Sequence, residues 1–386
     1  MITVLADDLT GAAEMAGVAM RYGLRVAFGI ESIPDVESDV CVVATDSRSA
    51  SEEEAFTQHL QLTRDASKPQ GFLFKKTDSV LRGHVLAEIE AHLQATGKTS
   101  VLLQPANPSV GRCIREGQYW VGERLLHETG FATDPDFPAK SSSVKELLLQ
   151  RSPEFAAKKE WNISTEFTPN GICIPEAVSV EDMAKALTEV SPDTMMAGSA
   201  AFFEQVLIHK FGVTEQPEIV SKEINSDFLM ICGSTHPQGR RFVEEIRDTG
   251  CPVHYFPKAL LEETEPEGET GRWSAEMSDI WKETHRLVLS ISNERISYPN
   301  SSSILGLRMS KVIQDILDKC DVRELLIEGG ATAFSVMKFQ QWDTLIPVQE
   351  LAPGVVRMQV SHRPSLYLTI KPGSYLWPKY LGGVES

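Results

Sequence analysis

The sequence predicts an α/β protein of two domains, each with a mainly parallel sheet flanked by helices. Three observations predict it. Short apolar runs ending in polar turns alternate with stretches of helical period along most of the chain. A polar, Pro-containing stretch, TEQPEIVSKEINSD (residues 214–227), interrupts the alternation, and a second α/β pattern follows it. The strand ends also change character there, from charged side chains before it to glycines after it. The expected domains are residues 1–213 and 228–386, with 214–227 as linker.

ITVLA (residues 2–6) reads as a short buried strand, and DLTGAAEMAGVAMRYG as a helix with a small, apolar face closed by Gly23. RVAFGI and VCVVATDS (residues 40–47) are the next strands. SEEEAFTQHLQLTRDA is a helix whose acidic start suits the positive end of the helix dipole. GFLFKKTDS is a strand running into a polar loop, HVLAEIEAHLQATG a helix ending at Gly97, and SVLLQPANP a strand. Strands alternating with helices imply a parallel sheet covered on both faces, with ligands at the strands' carboxyl ends. Residues 112–169, rich in Gly, Pro and Ser, read as irregular. VEDMAKALTEV is a helix, MMAGSA a short strand or turn, and AFFEQVLIHKFG a helix. The second half begins with a DFLMICGS strand and a helix over 237–250. Strands PVHYF and HRLVLSIS follow, then a helix around 311–319 and the strand–turn–helix ELLIEGGATAFSVMK.

The chain has 386 residues, of which 42% are hydrophobic, the share of a globular protein with a substantial core. No apolar stretch is long enough to span a bilayer, and no basic region precedes the N-terminal apolar residues, so no signal peptide is expected. The six cysteines are scattered without a CxxC pair, and the nine histidines form no HExxH. The expectation is a cytoplasmic, reduced protein without a zinc site. A net charge of −17 argues against nucleic acid and anionic membrane as partners, but allows a locally basic pocket for an anionic metabolite.

Four strand ends in the first half carry polar clusters: Asp7 and Asp8; Asp46 and Arg48; KKTDSVLRGH (residues 75–84); and Asn107 with Arg112. An aspartate after a strand most often caps the next helix, and a lone loop arginine is usually solvated. Four clusters at successive ends of one parallel sheet read instead as a site. They pair carboxylates with Arg48, Lys76 and Arg82, which suits a small hydroxylated organic acid. The second half has strand–glycine–helix junctions at Gly233-Ser234 and Gly329–Thr332, and a further glycine turn at Gly373. Neither GxxxxGK[ST] nor GxGxxG is present. Each turn alone also reads as a tight connection, but three in one domain favour phosphate held by backbone N–H groups.

Taken in order, ADDLTGA (6–12), DSR (46–48), KKTDSVLRGH, GS (233–234), GGATA (329–333), APG (352–354) and KPGS (371–374) resemble the four-carbon acid-sugar kinase family. The resemblance spans nearly the whole chain. It implies a sugar-acid-binding domain followed by a nucleotide-binding domain. It also implies ATP- and Mg²⁺-dependent phosphorylation of the terminal hydroxyl of threonate, erythronate or 3-oxo-tetronate. On that reading Asp8 is the base, with Asp78 the second choice. Asp7, Arg48, Lys76, Asp78, Arg82, Gly83 and His84 bind the acceptor. Ser234, Gly329, Gly330, Ala331, Thr332, Gly354 and Gly373 line the nucleotide, and no metal ligand is named. The chain departs from the family at Ala331 (commonly GGDT), at Pro372 and Ser374 (KSGN), at Thr235-His236 (a serine-rich GSCS-like turn), and at Val80 and His84 (DSTLRGN). These departures bear on metal and nucleotide binding and on the identity of the acid. They leave two alternatives: a non-catalytic metabolite- or nucleotide-binding protein of the same fold, and a kinase of another small hydroxy acid. A homodimer is compatible with the sequence.

Overall fold

The structure, a computed structural model, describes residues 1–66, 71–134, 136–191, 193–214, 224, 226–234, 236–291, 298 and 301–378. The chain forms two compact units, Met1–Gln216 and Pro217–Ser386. Most of the expected linker 214–227 lies outside the described residues.

The first unit contains β1 (Ile2–Ala6), β2 (Val26–Ile30), β3 (Val40–Ala44), β4 (Phe72–Lys76), β5 (Val101–Gln104), β6 (Arg112–Arg115), β7 (Gln118–Val121), β8 (Arg124–Leu125), β9 (Ile163–Ser164), β10 (Ile172–Cys173) and β11 (Met195–Gly198). Its main sheet runs β2-β3-β1-β4-β11-β5-β10-β9, and every adjacent pair is parallel. Strands β1, β2 and β3 are buried along their whole length, as apolar strands covered on both faces must be. The register pairs Ala6 with both Ala44 and Lys76, and Lys76 with Gly198. The residues that follow, Asp7, Thr45, Thr77 and Ser199, therefore leave the sheet side by side. Helix Leu9–Arg21 buries Gly11, Ala12, Ala13, Ala16 and Gly17, small residues that permit close packing on the sheet.

The segment read as irregular is ordered. Strands β6–β8 form an antiparallel sheet, and helices Val144–Arg151 and Pro153–Lys158 follow. A two-residue turn joins β6 to β7, with Glu116 and Gly117 both at positive φ (49° and 68°), the pair of left-handed residues a tight hairpin turn needs. Strands of two to four residues are too short for alternation to show in the sequence.

The second unit contains β12 (Phe228–Cys232), β13 (Val253–Tyr255), β14 (Arg286–Ser290), β15 (Glu324–Glu328), β16 (Thr344–Ala352), β17 (Val355–Val360) and β18 (Arg363–Lys371), in the order β13-β14-β12-β15-β18-β17-β16. Pairing is parallel from β13 to β18 and antiparallel among β18, β17 and β16. The helix expected at 311–319 begins at Ser301. Helix Glu269–Thr284 was not anticipated, because its buried stripe of Trp273, Met277 and Trp281 is diluted by charged residues. The antiparallel strands β16 and β17 were not anticipated either. All six cysteines are buried free thiols. No helix among the described residues is long and apolar enough to cross a membrane.

Candidate active site

In the first unit, the carboxyl ends of β1, β3 and β4 bring Asp7, Asp8, Arg48, Asp78 and Arg82 into one cluster. Arg48 is its hub. Its Nε and Nη2 both lie 2.7 Å from Asp7 Oδ2, Nη1 donates to Asp8 Oδ2 at 3.1 Å, and Nη2 lies 3.7 Å from Asp78 Oδ1. Three carboxylates thus share one guanidinium, which keeps it charged despite its burial. Asp7 is 1% exposed, and its Oδ1 has no hydrogen-bond partner among the described residues. Burial pushes its carboxyl above the ordinary range, against Arg48 and Lys75.

Asp8 is more open and does two things. It caps helix Leu9–Arg21, with Oδ1 accepting from the Gly11 N–H at 2.9 Å and Oδ2 from Thr10 Oγ1 at 2.7 Å. Such a cap stabilises by about 1 kcal/mol. Burial raises its carboxyl, but Arg48, Lys76 and Thr10 outweigh it, and the net shift is down. Lys76 is anchored by one bond, to the Thr77 carbonyl at 2.9 Å, and stands 3.8 Å from Glu14 Oε2.

Asp78 organises residues 78–84. Its Oδ2 accepts from the N–H groups of Val80 (3.1 Å) and Arg82 (3.2 Å) and from Arg82 Nε (3.1 Å), while Oδ1 accepts from Arg82 Nη2 at 2.8 Å. Burial opposes its ionisation, but Arg82 and Arg48 outweigh it and hold Asp78 far below the usual carboxylate range. The loop is tightly wound, with Leu81 at φ 61° and Gly83 at φ 91°. A side chain on Gly83 would crowd Asp7 Oδ2 at 3.3 Å. His84 Nε2 meets the Ala50 carbonyl at 2.7 Å, and its ring packs edge-on against Phe137.

Apart from Arg112, several contributors were not singled out from the sequence. Glu14, one helical turn beyond Gly11, faces Lys76, and burial raises its carboxyl. Asp134 reaches Arg82 Nη1 at 3.4 Å, and the Phe131 ring lies under both Arg82 and Arg112. Arg112 bonds Ser79 Oγ, Tyr119 bonds the Ser79 carbonyl and Arg151 bonds the Val80 carbonyl. The unanticipated β6–β8 region therefore clamps the loop that carries Asp78 and Arg82. Lys75 and Lys76 are neighbours on a strand and so point to opposite faces. Fully buried Lys75 pairs with Glu88 Oε2 at 2.8 Å, and Ser47, next to Arg48, donates to Glu88 Oε1 at 2.6 Å. His59 joins this network, its imidazole pushed down to about 3 by burial. The one sequence signal for this layer was the KK doublet at a strand end.

In the second unit, β12, β15 and β18 are adjacent and parallel, and each ends in a glycine turn. The Gly233 N–H donates to the Glu328 carbonyl at 3.1 Å, and the Gly329 N–H to the Lys371 carbonyl at 2.9 Å. Gly329 has φ 107°, and a side chain there would lie 3.7 Å from Ser234 N and from Thr332 Oγ1. A side chain on Gly233 would collide with Thr332, and one on Gly373 with Ser234 Oγ. Gly233, Ser234, Gly329, Thr332 and Gly373 thus share one small, bare-backbone surface. Gly330 and Ala331 open helix Gly330–Gln340, with Ala331 exposed. Gly354 (φ 73°) turns β16 into β17, where a side chain would strike the Tyr375 ring. Among the described residues, no group of three or more His, Cys, Asp or Glu side chains is arranged to hold a metal.

The chain resembles a D-threonate kinase of Bordetella bronchiseptica, at 35% identity over 156 residues, 38% of each chain. It resembles a D-threonate kinase of Salmonella typhimurium at 27% identity over 259 residues, 62% of this chain and 59% of the relative. Further relatives, at 33% and 32% identity, are named 3-oxo-tetronate kinase (Cupriavidus necator) and D-erythronate kinase (Heliobacterium modesticaldum). The chain thus spans about two-fifths to three-fifths of the length of the first two relatives. A solved Haemophilus influenzae protein of the DUF1537 family shares the fold over 99% of this chain and 100% of its own, with a TM-score of 0.74 at 17% identity. These are the relatives that the sequence motifs point to. Residues 2–206, carrying the whole Arg48 cluster, match the sugar-binding N-terminal domain, and the chain belongs to that family.

Proposed function

We propose that this protein is an ATP-dependent kinase of a four-carbon sugar acid such as threonate, erythronate or 3-oxo-tetronate. Residues 1–213 would hold the acid and residues 228–386 the nucleotide. The observation that carries the reading is the Arg48 cluster at the strand ends of a sugar-binding domain, in a chain whose relatives are named as kinases of such acids.

Asp8 is the base in this scheme. It is ionised at neutral pH, partly open, and 3.1 Å from the guanidinium that would steady the developing charge. Asp78, with four donors on its two oxygens, serves better as the organiser of its loop than as a proton acceptor. Lys76, with ammonium protons to spare, binds acceptor oxygens together with the outer faces of Arg48 and Arg82. Asp7 acts beneath them by fixing Arg48, while Gly83 and His84 shape the pocket wall.

The second unit fits a nucleotide. Gly233, Gly329 and Gly373 present no side chains, so phosphate oxygens can come close to the backbone, and Ser234 and Thr332 add hydroxyls, while the Gly233 and Gly329 N–H groups themselves are spent on the Glu328 and Lys371 carbonyls. Gly330, Ala331 and Gly354 complete the lining. The hydroxyls are hard oxygen donors of the kind Mg²⁺ accepts alongside phosphate and water. A bound Mg²⁺ would supply charge neutralisation on the transferred phosphate.

The test is ADP release in the presence of ATP, Mg²⁺ and each of D-threonate, D-erythronate and 3-oxo-tetronate. Turnover with at least one acid supports the proposal. ATP binding without turnover across a wider set of hydroxy acids would mark a metabolite-binding protein instead.

A further inference from the structure

Beneath the glycine turns of the second unit lies an ion pair that no phosphate could touch directly. Glu328 and Lys371 are the last residues of β15 and β18 and are partners in register. Both side chains are essentially inaccessible, at 0% and 1% exposure, and they meet at 3.1 Å. Lys371 spends its other two ammonium protons on the loop that follows, donating to the carbonyls of Pro372 (2.8 Å) and Tyr375 (2.6 Å). Glu328 Oε2 also accepts from Trp377 Nε1 at 3.0 Å. Its other oxygen, Oε1, has no hydrogen-bond partner among the described residues. It rests on the bare Cα of Gly239 in the first turn of helix Pro237–Asp248, where any added Cβ would collide with it. The loop held by Lys371 carries Gly373, which packs directly on Ser234.

One ion pair therefore touches the Gly373 loop through Lys371 and the helix after Ser234 through Glu328. Its stability contribution alone does not account for it. A buried ion pair is often no more stabilising than apolar residues of the same volume, and burial here weakens ionisation of both members, raising Glu328 and lowering Lys371. What an apolar pair would lack is the set of directed bonds to the Pro372 and Tyr375 carbonyls.

We propose that Glu328 and Lys371 are positioning residues of the nucleotide site, presetting the Gly373 loop against Ser234 so that both face a phosphate. This rests on the kinase reading above. Lys371→Met keeps the length of the side chain and removes its donors. Glu328→Gln keeps the shape and part of the hydrogen bonding. Trp377→Phe removes one donor to Glu328 and serves if Lys371→Met does not fold. Calorimetric ATP affinity, sugar-acid affinity and thermal midpoint are measured on the full chain.

Lys371→Met should weaken ATP binding about threefold to thirtyfold, the range reached by residues outside a ligand's contacts, and leave sugar-acid affinity unchanged. Glu328→Gln and Trp377→Phe should follow in the same direction with smaller losses. A lowered midpoint with ATP affinity within twofold of the parent in the folded variants would overturn the inference and leave the kinase reading standing. A parent protein that binds no ATP would overturn both.

Discussion

The two units reach the carboxyl ends of their parallel strands with opposite chemistry. In the first, β1, β3 and β4 deliver charged side chains, and these neutralise one another: Arg48 reaches Asp7, Asp8 and Asp78, and Arg82 also pairs with Asp78. In the second, β12, β15 and β18 deliver glycines, and the charges are withdrawn beneath them into the Glu328–Lys371 pair. On the kinase reading proposed above, a site that must tell one hydroxylated acid from another needs side chains of defined reach, each held by a neighbour. A site for phosphate needs N–H groups and room, so its charges work best as buried props. The difference teaches where each unit is sensitive: the first to loss of a side chain, the second to its addition.

The strongest challenge to this contrast is Asp8→Asn. Asparagine still caps helix Leu9–Arg21, so the melting temperature should hold while kcat falls about 10²–10⁴-fold. Near-normal turnover would reduce Asp8 to a helix cap. Arg48→Met comes next. It strands Asp7 in a buried position without its cation, and denaturant melts should show a loss of about 3–5 kcal/mol. A variant as stable as the parent would mean that the cluster is not mutually dependent. In the second unit, Gly373→Ala adds only a methyl, but against Ser234. Misplacing a phosphate-holding loop by about an ångström can lower kcat/KM for ATP up to about 10²-fold, with KM for the acid unchanged. An unaltered ATP KM would remove Gly373 from the site.

The smallest effect is a pH dependence confined to the first unit. The Asp46 carboxyl is pushed up to about 6 from 3.8, first by burial and then by the charge of Asp8. A carboxyl raised on folding favours the folded state below its unfolded value, and that contribution is lost as pH rises through about 6. The stability difference between parent and Asp46→Asn should therefore change across this window, with the parent losing ground as pH rises from 4 to 7. Asp8 carries the opposite sign, its contribution present above the ordinary carboxyl value and lost in acid. Denaturation at several pH values separates the two, and a difference independent of pH would show that folding does not raise the Asp46 carboxyl.

Much of this was legible in the chain. An apolar run followed by a polar or glycine turn and a helical period is a local signal, and it marked β1, β3, β4, β12 and β15 with their turns. Lys76, Asp78 and Arg82 could be read because strand end and loop are contiguous in sequence. Lys75 and Lys76 were equally visible as letters, but only their facing directions separate a residue of the cluster from one buried against Glu88. Arg112 was read as part of a strand-end cluster, but its clamp partners Tyr119 and Arg151 escaped notice: Tyr119 sits on a strand too short for its pattern to rise above composition, and Arg151 ends a helix in the segment read as irregular.

By itself the sequence determined the main alternation of strands and helices outside residues 112–169, 269–284 and 344–360, the charged and glycine-rich strand ends, and the family, because each rests on neighbours along the chain. Tertiary structure alone decided which charges meet. Arg48 lies 41 residues from Asp7, and Lys371 lies 43 from Glu328. Nothing local couples such residues. Only parallel pairing in register, which sets the ends of distant strands and the turns after them side by side, brings together an aspartate and an arginine, or a glutamate and a lysine.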